Sequence, residues 1–322
     1  MVTTVVCAFL LAPLAGAQSA FVEVPSDAPS ATECRQEENE VPDVAGRYLE
    51  LVFQRRDLEA TRALLDPDVL FIDPTADVWN RPLSRGIRGR EALLEEQRSF
   101  GVREVDFQVT LEFQSGEHAA FAGLLDYESA RGKVRNLPFV TILHIQKGRI
   151  VERRDYGDYD RLLERSPAGR RDEARLERTA RAYLEAYSRR SYCDLAGLLS
   201  EEATFQDPTA IVMGGGREVC GRDAILGVFE AGLEQLAQFE IEAPFAFFSN
   251  HHAVFAGLCR YALPGTLFGL KDEPVEFSQG LIMALTLADG EVTGHLDYSD
   301  YGAYWKRVRE LREPGARSPD GR

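Results

Sequence analysis

Two short patterns place carboxylates where a chain can use them for proton transfer. Phe71-x-Asp73-Pro74-Thr75-Ala76 ends an apolar run with an aspartate directly before a proline, and it returns as Phe205-x-Asp207-Pro208-Thr209-Ala210. Asp155-Tyr156-x-Asp158-Tyr159 returns as Asp297-Tyr298-x-Asp300-Tyr301. Carboxylates crowded into an apolar space repel one another, so one of them keeps its proton near neutral pH. A donor and an acceptor side by side suit enolisation, aldol-type ring closure or water addition.

Strand alternation extends each set, because every second side chain shares a face. If Asp155 faces a pocket, Arg153 does too; if Asp297 does, so does His295. Asp126 would share its face with Leu124 and Ala122. The first set then reads Asp73, Asp126 and Asp155, with Arg153 and Tyr48 as binding groups. The second reads Asp207 and Asp297, with His295, Arg260 and Tyr183. A His–Asp pair is a reasonable base. Each residue also has a plainer reading. An aspartate before proline forms turns, and Asp155 paired with Arg153 would merely fix a strand. Asp158 and Asp300 read as helix caps. Tyr48 and Tyr183 read as core aromatics with a polar tip. His118 and His252 follow hairpin turns and are expected at the surface, and Phe245, Phe247 and Phe248 are expected in sheet core or an inter-unit contact.

The elements that must position these residues occur twice. His118-Ala119-x-Phe121-Ala122-Gly123-Leu124 returns as His252-Ala253-x-Phe255-Ala256-Gly257-Leu258, offset by 134 like the Asp-Pro block. The Asp-Tyr block is offset by 142, so the second unit carries eight extra residues after Tyr261. Gly89-Arg90-Glu91-Ala92 returns as Gly221-Arg222-Asp223-Ala224. Several blocks in one order mark a tandem duplication. Each unit begins with a helix (44–55; 173–190), then a short helix around Leu64 or Leu198, a strand ending in Asp-Pro, and a third helix (91–98; 223–236). Four strands follow, near 103–113, 118–128, 137–146 and 149–156 in the first unit, with hairpin-like turns at Ser115-Gly116 and Lys147-Gly148. The expected class is α+β: two tandem cone-shaped domains, 42–165 and 172–312, each with three helices packed on a curved antiparallel sheet.

Composition narrows the partners. The chain has 322 residues and a net charge of -15. That balance disfavours nucleic acid and anionic membrane. Residues 1–17 lack charge and end in Ala15-Gly16-Ala17, which predicts a cleaved export signal and a secreted or periplasmic protein, although Met1-Val2-Thr3-Thr4 lacks the usual basic start. Residues 18–41 read as a flexible leader and 313–322 as a disordered tail. After cleavage four cysteines remain, Cys34, Cys193, Cys220 and Cys259, which leaves room for one disulfide; Cys259 lies in an apolar run and reads as core. No CxxC or Cys/His cluster points to a metal, and no cofactor is expected.

The order of elements and the paired motifs resemble the nuclear transport factor 2-like superfamily, which includes ketosteroid isomerase, SnoaL-like polyketide cyclases and limonene epoxide hydrolase. The resemblance spans nearly all of the chain beyond the leader. It implies a pocket at the open end of each cone and pairing of the two sheets as an internal pseudo-dimer. In the isomerase a helix tyrosine precedes a strand-end Asp-Pro base by about 24 residues. Tyr183 precedes Asp207 by 24, and Tyr48 precedes Asp73 by 25. The isomerase's second, protonated acid falls at Val140 or near Ile282, so the resemblance does not carry steroid isomerisation. The hydrolase's Arg-Asp-Tyr is matched by Arg154-Asp155-Tyr156 and more weakly by Leu296-Asp297-Tyr298. Its Arg-x-Asp becomes Leu124-x-Asp126 and Leu258-x-Arg260. Three readings stay open: an acid/base enzyme acting on a small apolar molecule, a small-molecule binding module without turnover, and a structural pair. The unlike residues Asp126 versus Arg260, and Arg153 versus His295, suggest that the first unit acts and the second supports it.

Overall fold

A helix opens each unit. The computed structural model describes residues 41–79, 83–129, 132–163, 167–216, 218–270 and 273–312. The expected signal, the leader to residue 40, Cys34 and the tail 313–322 lie outside them. Helix α1 (41–55) buries Val41, Ala45, Tyr48 and Leu51 at helical spacing. Its last turn, Glu50–Arg55, is π-helical. The cause is a one-residue difference between units: Tyr48 lies seven residues before Arg55, whereas Tyr183 lies six before Arg189. A π turn holds one residue more than an α turn, so it absorbs the extra residue without shifting the flanking turns. Both helices then stop at a left-handed arginine, Arg56 (φ 52°) and Arg190 (φ 57°).

The first unit continues through α2 (Leu58–Leu64), β1 (Leu65–Ile72), β2 (Ile87–Arg88), α3 (Arg90–Ser99), β3 (Val102–Ser115), β4 (His118–Ser129), β5 (Gly132–Gln146) and β6 (Arg149–Gly157). The second repeats it as α4 (Pro167–Ser188), α5 (Tyr192–Leu198), β7 (Leu199–Gln206), β8 (Val219–Cys220), α6 (Arg222–Leu233), β9 (Gln238–Ser249), β10 (His252–Leu263), β11 (Val275–Ala288) and β12 (Glu291–Ser299). Each sheet has six strands, in the orders β2-β1-β6-β5-β4-β3 and β8-β7-β12-β11-β10-β9. The sheets are mixed rather than antiparallel throughout, since β1 runs parallel to β6 and β7 parallel to β12. Alternation reports which residues share a face but carries no strand direction. The parallel pairing matters for the site: Phe71 faces Arg153 and Ile72 faces Arg154 across the ladder, so the ends carrying Asp73 and Asp155 meet.

The two faces of each sheet are both buried. Ala119, Phe121 and Leu125 of β4 pack on their own helices. Ala120 and Ala122 face the other way and join Val140, Ile142 and Tyr156 against Val254, Ala256, Ile282 and Tyr298 of the second sheet. Gly280 lies under the Phe113 ring; a Cβ there would stand 2.6 Å from a ring carbon. Asn250 crosses the seam, donating from its backbone to Asp160 Oδ2 at 2.7 Å and from its side chain to the Pro74 carbonyl at 3.1 Å. Phe245 and Phe247 join this seam, while Phe248 packs on the second unit's core.

The seam also corrects the expectation for the histidines. His118 is buried and stacks on His144 at 4.4 Å between centroids, with Tyr298 at 6.1 Å. His252 approaches Tyr156 at 6.3 Å. Their turns are exposed in an isolated unit, but the partner sheet covers them. The chain ends of the units differ as well. After β6 comes only the 3-10 turn Tyr159–Leu162, to which the Asp158 side chain gives no cap, contrary to expectation. After β12 comes helix α7 (Tyr301–Arg312), whose Ala303 N–H donates to Asp300 Oδ1 at 2.9 Å. Cys193 and Cys220 are free thiols at the surface, and Cys259 is buried.

Candidate active site

Asp73 lies at the end of β1, buried, with both oxygens engaged. Oδ1 accepts from the Thr75 hydroxyl at 2.7 Å and the Ala76 N–H at 3.1 Å, and Oδ2 accepts from the Tyr159 hydroxyl at 2.8 Å. Thr75 Oγ1 in turn accepts from Gly157 N at 2.8 Å, which ties the end of β1 to the end of β6. Burial, with the nearby Asp155 charge second, pushes the Asp73 carboxyl up to about 7. Hydrogen bonds to the ionised form oppose this rise without cancelling it.

Two residues from β6 share the pocket face with it. Arg153 holds Asp155 through two parallel N–H···O contacts, one of them Nε to Oδ1 at 2.8 Å. Thr141 donates to Asp155 Oδ1 at 2.7 Å, and Arg153 Nη1 donates to the Tyr48 hydroxyl at 2.7 Å. The guanidinium also lies over the rings of Phe53 and Phe71, 5.5 and 5.2 Å from their centroids. Burial lowers the Arg153 pKa, but Asp155 and Tyr48 more than offset this and hold it above its usual value. Burial lifts Asp155 above the ordinary carboxylate range against the pull of Arg153. The pair is a fixed dipole in an apolar wall, and Asp73 is the group beside it that titrates near neutrality.

A cavity of about 590 Å³ opens beside these groups, lined by Asp73, Arg153, Asp155 and Tyr159 and by apolar side chains such as Phe53 and Phe139. The partly exposed Leu162 and Leu163 lie at its edge. The second unit keeps the same carboxylate knot. Asp207 accepts from the Thr209 and Ala210 N–H groups at 3.0 and 3.1 Å and from the Tyr301 hydroxyl at 2.7 Å. Burial, then Asp297, push it up to about 7. His295 bridges Tyr183 (Nδ1, 2.9 Å) and Asp297 (Nε2, 2.8 Å). Yet the cavity beside these groups is about 70 Å³. Tyr187 and Phe229 pack against His295 and Phe239 packs on Tyr187, and Tyr304 of α7 stacks on Phe277 at 5.2 Å.

The structure therefore gathers Asp73, Asp155, Arg153 and Tyr48 in one unit, and Asp207, Asp297, His295 and Tyr183 in the other. Asp126 and Arg260 are not among them. Leu125 and Tyr127 line the first cavity, so Asp126 points away and accepts from Asn136 N at 2.6 Å. Arg260 is exposed and ion-paired with Glu242. The first unit thus lacks the hydrolase-like second carboxylate that Asp126 was expected to supply. Sequence reading missed Gln97 and Arg56, which both line the first cavity. Among the described residues no group of three His, Cys, Asp or Glu side chains could hold a metal ion.

Residues 45–153 match the family model described as SnoaL-like domain. The first unit is a SnoaL-like domain. Solved structures similar to the chain include a SnoaL-like polyketide cyclase from Shewanella denitrificans, with 18% identity over 42% of this chain and 96% of that one and a TM-score of 0.37. Another is an NTF2-like protein of unknown function from Burkholderia pseudomallei, with 21% identity over 38% and 95% and a TM-score of 0.34. A third is an LEH-like epoxide hydrolase from M. tuberculosis, with 14% identity over 43% and 92% and a TM-score of 0.34. No curated protein matches the chain. Outside the matched residues, the second unit repeats the strand order of the SnoaL-like domain.

Proposed function

We propose that the SnoaL-like first unit binds a small, largely apolar molecule in its cavity and moves a proton on it through Asp73. The observation that carries this is the position of Asp73: a buried carboxyl with a pKa of about 7 on the wall of a 590 Å³ cavity. As carboxylate it takes a proton from a carbon acid or a water; as carboxylic acid it returns one to the product. The Arg153–Asp155 pair sets the local field, the Tyr48 hydroxyl orients Arg153, and the Tyr159 hydroxyl orients Asp73. Isomerase-, cyclase- and hydrolase-type steps share this requirement. In the same reading the chain is exported and cleaved after Ala17. The second unit is the structural half of an internal pseudo-dimer.

A specific observation favours a second reading, binding without turnover. The same Asp-Thr-Tyr knot occurs around Asp207 beside a cavity too small for a ligand. In that reading the knot only ties strand ends.

One experiment separates them. Native mass spectrometry of the purified protein identifies a retained ligand, which is then incubated with the protein in heavy water. Proton transfer predicts deuterium uptake or conversion that rises with pH through about 7, in step with Asp73 ionisation. Asp73→Asn is expected to lower the rate by about 10²-fold or more. Asp207→Asn is expected to leave it unchanged. An unexchanged ligand with the parent protein supports binding alone. Intact mass beginning at Gln18 tests the export reading.

A further inference from the structure

The two units form an internal comparison for the cavity wall. Gly89-Arg90-Glu91-Ala92 matches Gly221-Arg222-Asp223-Ala224, which sets Gln97 of α3 opposite Phe229 of α6. Phe229 is fully buried against Tyr187, Phe205 and His295. Gln97 instead lines the open cavity, with both polar atoms of its amide turned away from solvent. The amide interacts with the Tyr48 hydroxyl, and the side chain leaves open the space that Phe229 fills in the second unit.

The second difference is a cation. Arg190, in the second unit, donates to the carbonyls of Leu233 and Leu236 at 3.2 and 2.8 Å, where α6 ends. Its counterpart Arg56 has no such anchor. Helix α3 has 10 residues where α6 has 12, so the equivalent carbonyls are not presented. Arg56 is half-buried in the cavity wall, and its side chain makes no hydrogen bond or ion pair among the described residues. Burial lowers its pKa, with no charged neighbour to oppose the shift. The other cations of the wall are occupied, Lys133 by Glu128 at 2.6 Å and Arg153 by Asp155.

We propose that the first unit's cavity takes an amphipathic carboxylate, its anionic end on Arg56 and its apolar body along the phenylalanine-lined wall. A single unpaired guanidinium suits a monoanion, and a planar carboxylate matches its two-pronged donor geometry. The inference names the ligand class of the proposed site and so rests on that cavity being a binding site.

Calorimetry with decanoate and decan-1-ol tests it on the full chain. Decanoate is expected to bind at least about tenfold more tightly than decanol, the effect of one charge-assisted contact. Arg56→Asn, chosen because asparagine tolerates the positive φ at this position, is expected to remove that ratio while leaving decanol within about twofold of the parent. Arg56→Lys is expected to restore part of it. Gln97→Phe, which copies the second unit, is expected to abolish binding of both probes, with an unchanged melting temperature as the folding control. Equal affinities for the two probes, a ratio that survives in Arg56→Asn, or no binding of either probe would overturn the inference. In the parent chain, absence of isotope exchange together with a retained decanoate preference would sink proton transfer alone.

Discussion

At the scale of the residue, the informative groups are carboxyls that the fold holds above their usual range. Asp73 and Asp207 each titrate near 7 in the folded chain, against 3.8 for an ordinary aspartate. Between those values the folded state binds more protons than the unfolded one, so stability falls as pH rises from about 4 to about 7. Each carboxyl is expected to give the parent extra stability at pH 5 relative to pH 7.5. Asp73→Asn cannot take up that proton. Its melting temperature at pH 5 minus that at pH 7.5 is expected to be lower than the parent's by on the order of 3 °C. Equal differences in parent and variant would show that Asp73 ionises normally. Both aspartates were legible in the sequence because a duplicated Asp-Pro at a strand end is hard to mistake, and Arg153 followed from alternation with Asp155. Asp126 and Arg260 misled because alternation says which residues share a face without saying which face meets the pocket. Gln97 belongs to no motif. Its signal was comparative: a polar residue four positions after the buried Leu93, where the second unit has Phe229 after Ile225.

At the scale of the element, one extra residue distinguishes the two opening helices. The π-helical turn Glu50–Arg55 carries Phe53 into the cavity wall and Arg56 to its edge. Deleting Leu51 leaves Tyr-Leu-Glu-Val-Phe-Gln-Arg-Arg, which matches Tyr183–Arg190 in length. That variant is expected to fold with a regular α turn and a melting temperature near the parent's, while binding decanoate at least several-fold more weakly because Val52 and Phe53 are rotated relative to the cavity. Circular dichroism and calorimetry check both halves. A variant that fails to fold would show that the turn is not a tolerated insertion. The spacing of 25 against 24 between tyrosine and aspartate already held this insertion in the sequence. Its consequence, a π turn, required knowing that both flanks stay in register. The parallel pairing of β1 with β6 was not legible, because hydrophobic pattern has no polarity. Closure of the second cavity depends on α7, whose apolar positions Tyr304 and Val308 are buried, while the first unit has only a 3-10 turn before the join.

At the scale of the whole molecule, the seam between the sheets has its own pH response, opposite in sign to that of the cavity carboxyls. His118 is pushed down to about 3 by burial, with His144 as the lesser cause, and His252 to about 4 by burial, with His251 next. An ordinary histidine titrates at 6.5, so between about 6.5 and 3 the unfolded chain binds more protons, and stability falls as pH drops through that window. Protonation of His118 would place a charge between two apolar sheet faces, next to Tyr298 of the other unit. Nothing in the seam rewards that charge. The Nδ1 atom of His118 already lies buried without a hydrogen-bond partner. A phenyl ring has a similar shape and no polar atom to desolvate, so His118→Phe is expected to be stabilising at pH 7 by about 1 kcal/mol. It can stack on His144 as the imidazole does. Its larger effect is expected in acid: the melting temperature is predicted to fall less between pH 7 and pH 4.5 than the parent's, whereas Asp73→Asn tilts the same profile the other way. Tilts in opposite directions from residues in the two places would locate the two pH responses, one in the cavity and one in the seam. A parallel profile for His118→Phe would mean that this histidine is hydrated in solution and that the two sheets do not close over it.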